Sequence, residues 1–234
     1  MPPEHCILCD ATDIIHFYED TSETYASDYF QCQRCKLIFA PPKDQPAPED
    51  EFARYQTHEN DPADEGYRNF LSQLFNPLEA KLAAGSKGLD FGSGPGPTLN
   101  IMFEEAGHQM NIYDPFMMMT RLFFDEQYDF ITATEVVEHL FAPGAELKRL
   151  WNCLRPSGYL GIMTKIARDD RAHFADWHYR LDLTHVTFYT QDTFEWLAGH
   201  WNASVEFPGD PRDYFSKTEL TKTTGRRWDG RYIF

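Results

Sequence analysis

The stretch Leu89-Asp90-Phe91-Gly92-Ser93-Gly94-Pro95-Gly96-Pro97 decides how this chain reads. An apolar strand, Lys87–Phe91, runs into it, and a helical pattern over Pro97–Ala106, stopped by Gly107, runs out of it. Glycines between a strand and a helix permit positive φ and let a ligand approach the backbone. Asp90 puts a carboxylate at the strand end, where it can meet a ligand ammonium. The next strand, Gln109–Tyr113, ends in Asp114-Pro115, 18 residues after Gly96. A carboxylate in that place can accept hydrogen bonds from ribose hydroxyls. A dinucleotide loop has the form G-x-G-x-x-G, with a helix N-terminus facing pyrophosphate. Here the third glycine comes one residue early, Pro97 follows it, and Asp90 would repel phosphate. The loop suits a cationic nucleoside, and S-adenosylmethionine carries both an ammonium and a sulfonium.

Outward from the loop the chain keeps a strand–helix rhythm. Tyr128–Ala133 and Tyr159–Thr164 read as strands, Ala145–Leu154 and Thr193–Gly199 as helices, and Ala203–Phe207 and Tyr214–Lys217 as closing strands. That alternation predicts an open, twisted, Rossmann-like α/β sheet with helices on both faces. Whether the two closing strands pair antiparallel stays open. Upstream, Phe70, Leu71, Leu74, Phe75, Leu78 and Leu82 recur at helical spacing, with Pro77 predicted to kink or split the helix. Residues 41–50, PPKDQPAPED, have the composition of a stiff extended linker. The expected organisation is a β-rich module over 1–40, a linker and helical substrate-side segment over 41–84, and a ligand-binding domain over 85–234.

The motifs resemble those of class I S-adenosylmethionine-dependent methyltransferases. LDFGSGPG resembles their first motif, NIYDPF their second, YDFITATEVVEHL the strand and turn that follow, and LRPSGYLGIMT the next helix–strand junction. DLTHVTFYTQDTFEWLA is similar to the block before the last helix of many small-molecule members. The resemblance spans roughly residues 85–217 and implies cofactor contacts at Asp90, Gly92, Gly94, Gly96, Asp114, Pro115 and Glu135. Only 13 residues separate Asp114 from Tyr128, so the usual third strand hardly fits. Phe116, Met117, Met118, Met119 and Asp125 are then left to serve the adenine, unless the methionines only fill the core.

Four of the five cysteines form two pairs, Cys6-x2-Cys9 and Cys32-x2-Cys35, 22 residues apart. Each pair can present two thiolates to one tetrahedral Zn²⁺, which would replace the core that some forty residues cannot build. Free thiols or an iron–sulfur cluster are the alternatives. His5 and His16 are spare donors, read first as surface residues. Cys153 stands alone in LWNCLRP and reads as a small buried hydrophobe. A four-cysteine module ahead of such a domain resembles the arrangement of sugar C-methyltransferases, which tend to be much longer. With four thiolates zinc keeps no open position, so its expected role is structural.

His185 and His139 are the candidate catalytic bases, because an unperturbed imidazole titrates near working pH. Asp182 stands three residues before His185 and could orient it; Glu135 or Glu138 could do the same for His139. The other reading gives Glu135, Glu138 and His139 to a hard divalent cation that orients a hydroxylated acceptor, as in E-x-x-E-H turns of some quinone and phenol O-methyltransferases. A plain structural role for these residues stands beside both. Trp177, His178, Tyr179 and Arg180, with Tyr55, His58, Asn60 and Tyr67, are expected to line the acceptor pocket, or to form an internally bonded polar cap.

With 21 Lys+Arg against 37 Asp+Glu the net charge is -16, which leaves no basic face for DNA and makes RNA a poor partner. Lys217, Lys222, Arg226, Arg227 and Arg231 read as a solvated tail. No apolar run approaches a membrane span and the start has no secretory pattern, so a cytoplasmic location is expected. The expected function is methyl transfer from S-adenosylmethionine to a small or medium polar acceptor. The alternatives are a non-catalytic zinc- and cofactor-binding module for a protein or RNA, and a protein methyltransferase.

Overall fold

A computed structural model describes residues 3–55, 60–116, 121–208 and 216–222. The main sheet contains β4 (Lys87–Phe91), β5 (Gln109–Tyr113), β6 (Tyr128–Thr134), β7 (Leu154–Thr164), β9 (Ala203–Glu206) and β10 (Ser216–Lys222), in the order β5-β4-β6-β7-β10-β9. The first four are parallel, and β10 runs antiparallel to both β7 and β9. The two closing strands therefore do pair antiparallel. Among the described residues β5 is an edge strand, as the short Asp114–Tyr128 connection predicts.

Helices cover both faces. On one side α2 (Glu65–Glu79) and α3 (Leu99–Glu105) bury Leu71, Leu74, Leu78 and Phe103 against Phe130 and Met163. On the other, α4 (Pro143–Cys153) and α6 (Gln191–Trp201) bury Leu147, Leu150, Phe194 and Leu197 against Leu89, Ile131, Leu160 and Ile162. Ile162 and Met163 face opposite layers, as alternation along a strand requires. Each fully buried leucine contributes roughly 1.5–3 kcal/mol relative to exposure. Local chemistry sets the helix starts. Asp64 accepts the Tyr67 N–H at the head of α2, and Thr190 and Thr193 form a capping box at α6. The expected break at Pro77 does not occur: α2 continues through it and ends two residues later, so only the last turn loses a bond.

The 41–50 stretch is not an extended linker. Pro42–Asp44 form a single 3-10 turn, and Pro48 opens α1 (Pro48–Tyr55), because proline is preorganised for a first helical turn. Asp44 accepts the Asp28 N–H at 3.2 Å and so ties this stretch to the N-terminal sheet.

That second sheet has the order β1-β2-β3-β8: β1 (Ile14–Asp20), β2 (Ser27–Cys32), β3 (Ile38–Phe39) and β8 (Thr187–Phe188), all antiparallel. Its last strand comes from the segment after β7, which also holds α5 (Arg171–Asp176). Cys6, Cys32, Cys35, Leu37 and Phe39 share one apolar cluster with Leu89, Ile131 and Leu160 of the main sheet. Among the described residues no helix is long and apolar enough to cross a membrane.

Candidate active site

Parallel strands β5, β4 and β6 deliver Asp114, Asp90 and Glu135 to one edge of the sheet, where open α/β sheets bind ligands. Gly92 and Gly94 take φ of 75° and 70°, a conformation that costs other residues more. The Gly94 N–H donates to Asp114 Oδ2 at 3.0 Å, and the Phe116 N–H to Asp114 Oδ1 at 2.9 Å. Asp114 thus fixes the loop's shape while each carboxylate oxygen keeps lone-pair capacity for a further donor. Asn60 lies against the loop: a Cβ on Gly96 would stand 2.0 Å from its carbonyl oxygen.

Asp90 is buried, and its Oδ1 accepts the Thr132 hydroxyl at 2.8 Å. Burial, with the Asp114 charge in support and the Thr132 bond opposing, pushes its carboxyl up to about 6. A buried carboxylate short of positive charge fits a ligand ammonium. Pro115, which follows Asp114, is exposed. Tyr67, half-buried on α2, feels the charges of Asp90 and Glu135; burial chiefly, with those charges, pushes its phenol up to about 12. The Thr132 contact follows from the register that sets it opposite Asp90, a pairing the sequence does not display.

A second polar cluster lies where β6 ends. Glu135 is left-handed, with φ 51°, a backbone conformation that is uncommon for residues other than glycine. The Tyr179 hydroxyl meets both Glu135 Oε2, at 3.2 Å, and Glu138 Oε1. Glu138 is fully buried, and its Oε2 accepts the Thr164 hydroxyl at 3.0 Å. Burial first, and then the neighbouring carboxylate, pushes Glu135 up to about 8. Burial likewise pushes Glu138 up to about 7. Lys165, whose ammonium stands 5.0 Å over the Tyr179 ring, lies near enough to draw Glu135 back down, a residue the sequence reading missed.

His139 and His185 meet edge to face, ring centroids 4.7 Å apart. On Nδ1 each faces a backbone carbonyl instead of the carboxylate expected for it. His139 Nδ1 donates to the Thr184 carbonyl at 3.0 Å, and His185 Nδ1 to the Tyr179 carbonyl at 2.6 Å. Asp182 instead accepts Arg54 at 2.7 Å and the Thr184 hydroxyl at 2.6 Å. Burial, helped by the neighbouring His139, pushes His185 down to about 4, so its imidazole is neutral at neutral pH.

The expected acceptor residues divide. Tyr179 joins the carboxylate cluster. Trp177 does not line an opening: it is 4 % exposed, packed with Phe174, Tyr179 and Phe188. Arg180 does not either, because it is buried in an ion pair with Asp20 of β1. His178 is exposed and contacts Lys165 at 2.9 Å. Tyr55 ends α1. His58 and Met117, Met118 and Met119 lie outside the described residues, and Asp125 is exposed.

The N-terminal thiols converge. Cys6 Sγ stands 3.6 Å from Cys35 Sγ and Cys9 Sγ 3.5 Å from Cys32 Sγ, with all four sulfurs within 4.8 Å of one another and none in a disulfide. The residue after each pair, Asp10 or Lys36, is left-handed, with φ of 60° and 61°, so the two turns share one geometry. The first turn docks on α4, where the Gly144 N–H donates to the Ile7 carbonyl at 3.2 Å.

The sequence model of a family described as "Methyltransferase domain" matches residues 63–206, well over half of the chain. The chain belongs to that methyltransferase family. It is a methyltransferase, and the glycine loop, Asp90 and Asp114 fall inside the matched region. No curated protein is similar enough to the methyltransferase to count as a match. Among solved structures it is similar to a SAM-dependent methyltransferase of Thermotoga maritima, described as a possible histamine N-methyltransferase. That pair is 14 % identical over 75 % of this chain and 94 % of the other, with a TM-score of 0.43. It is also similar to the Burkholderia thailandensis 1,6-didemethyltoxoflavin-N1-methyltransferase, solved with 1,6-didemethyltoxoflavin and S-adenosylhomocysteine bound. Here the identity is 17 % over 81 % of this chain and 96 % of the other, with a TM-score of 0.47.

Proposed function

We propose that this enzyme methylates a small or medium polar acceptor held between the glycine loop and the Glu135–Tyr179–His185 cluster. Asp90 would take the cofactor ammonium, the turn from Gly92 to Gly96 would let its methionine part approach the backbone, and Asp114 with Pro115 would hold the ribose side. Bound S-adenosylmethionine supplies a sulfonium methyl: the acceptor's lone pair bonds that carbon, and the S–CH₃ electron pair stays on sulfur. The chain supplies position, which accounts for much of the rate in such a displacement. Tyr67, Glu135, Tyr179, His139 and His185 are the acceptor-side residues. The observation that carries this reading is the Gly94–Asp114 hydrogen bond close to the buried carboxyl of Asp90.

Calorimetry with S-adenosylhomocysteine, followed by transfer of labelled methyl into fractionated metabolite extracts, tests it. Label appearing in small polar compounds supports the reading; label confined to protein points to a protein methyltransferase. Tight binding of NAD with no response to S-adenosylhomocysteine would overturn it.

The four thiols are best read as a structural Zn²⁺ site. Zinc–sulfur bonds of about 2.3 Å in a tetrahedron set sulfurs roughly 3.8 Å apart, close to the observed spacings. Elemental analysis should find one zinc per chain.

A further inference from the structure

Lys165 is the first residue after β7, at the sheet edge where β6 delivers Glu135. The Glu135 N–H donates to the Met163 carbonyl at 2.8 Å, so the ends of the two strands are tied together there. Two contacts fix the Lys165 ammonium. It stands 5.0 Å over the Tyr179 ring and donates to His178 Nε2 at 2.9 Å. An ammonium has no lone pair, so Nε2 accepts, and this contact takes one N–H bond of three. The ammonium is also near enough to Glu135 for its charge to act there. Two neighbouring guanidinium groups are engaged elsewhere: Arg180 is buried against Asp20, and Arg54 of α1 pairs with Asp182. Lys165 is thus a cation that β7 itself brings to the Glu135–Tyr179 cluster.

Its position separates it from the ammonium site. Asp90 is on β4, and β6 lies between β4 and β7. Two strand spacings amount to about 10 Å. Lys165 therefore belongs with the acceptor rather than with the cofactor's amino-acid end.

We propose that Lys165 is the anion-binding residue of the acceptor pocket, held in place by His178, and that the acceptor is a small carboxylic acid. The proposal rests on the methyl transfer proposed above and names its substrate class. One ammonium matches one negative charge. A phosphate dianion would bring two charges toward Glu135 and Glu138 against a single cation, so a carboxylate fits better. The carboxylate anchors the acceptor and is not itself methylated, because N–H bonds from an ammonium engage its lone pairs and lower their nucleophilicity. Another atom of the acceptor, with its own lone pair, would face the sulfonium.

The test compares benzoate with benzamide, which has nearly the same shape and no charge, by calorimetry on the full chain loaded with S-adenosylhomocysteine. Benzoate should bind at least about tenfold more tightly, the scale of a charge-assisted hydrogen bond. Lys165→Met should abolish that preference, Lys165→Arg should keep most of it, and His178→Ala, which removes the orienting contact, should fall between. S-adenosylhomocysteine affinity should stay the same throughout, which also shows that the variants are folded. A lysine that merely balanced Glu135 would affect both probes alike. In a second arm, label from S-adenosylmethionine should enter extract compounds retained by anion exchange and should resist mild base. No benzoate binding or equal binding of the two probes by the unaltered chain, or a preference that Lys165→Met retains, overturns the subsite. Inorganic phosphate binding more tightly than benzoate, label confined to neutral or basic compounds, or label released by mild base as methanol overturns the acceptor class. If S-adenosylhomocysteine fails to bind the unaltered chain, the functional reading fails instead, whatever benzoate does.

Discussion

Arg180 Nη1 and Asp20 Oδ2 meet at 2.5 Å, and both side chains are only 6 % exposed. The same guanidinium donates to the Phe174 and Ala175 carbonyls, so Arg180 joins β1 to the segment after β7. Removing one partner of a buried pair costs about 3–5 kcal/mol, because the other charge is stranded. Asp20→Asn and Arg180→Met should each lower the melting temperature by roughly 6–20 °C at this chain length. Scanning calorimetry measures it, and an unchanged melting temperature would show that the pair is not held. Acid should act in the same direction. Burial raises the Asp20 carboxyl, but the bonds from Ser22 and Arg180 outweigh it and hold the carboxyl below its usual range. The stability it contributes is therefore present above the unfolded carboxylate range and is lost as pH falls through the folded value.

Asp90 has the opposite sign. Its folded carboxyl, at about 6, stands above the unfolded value, so without cofactor the fold loses stability as pH rises from about 4 to about 6. A cofactor ammonium favours the ionised form. Affinity for S-adenosylhomocysteine, which keeps that ammonium, should be flat above pH 6 and fall up to about tenfold per unit below it. Asp90→Asn should weaken binding and flatten the profile. Calorimetry between pH 5 and 8, with roughly those limits set by the Asp90 value, decides this; a wild-type profile flat throughout would remove Asp90 from the ammonium site.

Asp114→Ala removes the acceptor for two backbone N–H groups as well as the expected ribose contact. Charge-assisted bonds of this kind contribute about 1.5–3 kcal/mol, so S-adenosylhomocysteine affinity should drop by roughly ten- to 150-fold. Asp114→Asn, which keeps one acceptor oxygen, should fall between. Equal affinity in all three proteins would show that the loop holds its shape without Asp114.

The parallel strands were legible because each is a short apolar run bounded by a turn, and local pattern suffices for that. Glu135, Glu138 and His139 were legible because they follow a predicted strand, and His185 because it lies in the insert after the next one, which is rich in aromatic and ionisable groups. Their partners were not. Asp182 stands three residues from His185, yet its charge goes to Arg54, 128 residues away in sequence. Arg180 resembles a pocket residue by composition, and only the docking of β1 turns it into a buried tie. Likewise β8 is two residues long, too short for any period, and it exists because β3 supplies its edge. Long-range pairing decided each of these, and a single sequence carries no record of pairing.

That pairing changes what loss of the thiol cluster should do. Taken as a separate module, residues 1–40 could loosen alone in Cys32→Ser. In the fold, however, β2 ends at Cys32, β3 pairs with β8, and the Ala40 N–H donates to the Val186 carbonyl at 2.9 Å. The Val186 N–H in turn donates to the Glu138 carbonyl at 2.9 Å, and the Thr187 hydroxyl to the Val137 carbonyl at 2.8 Å. Strain at the thiols therefore has a short bonded route to the turn that carries Glu138 and His139. Cys32→Ser, or a chelator that takes the zinc proposed for the four thiols, should reduce methyl transfer by about tenfold or more, the scale on which a metal site's lost support shows in activity. It should also lower the melting temperature of the whole chain in one transition. S-adenosylhomocysteine affinity should change little, because the glycine loop hangs from β4 and β5. Hydrogen exchange would locate the effect: faster exchange at Val186 and around Glu138 supports the route. Loosening confined to residues 1–40, with full turnover, would return the cysteine module to an independent role.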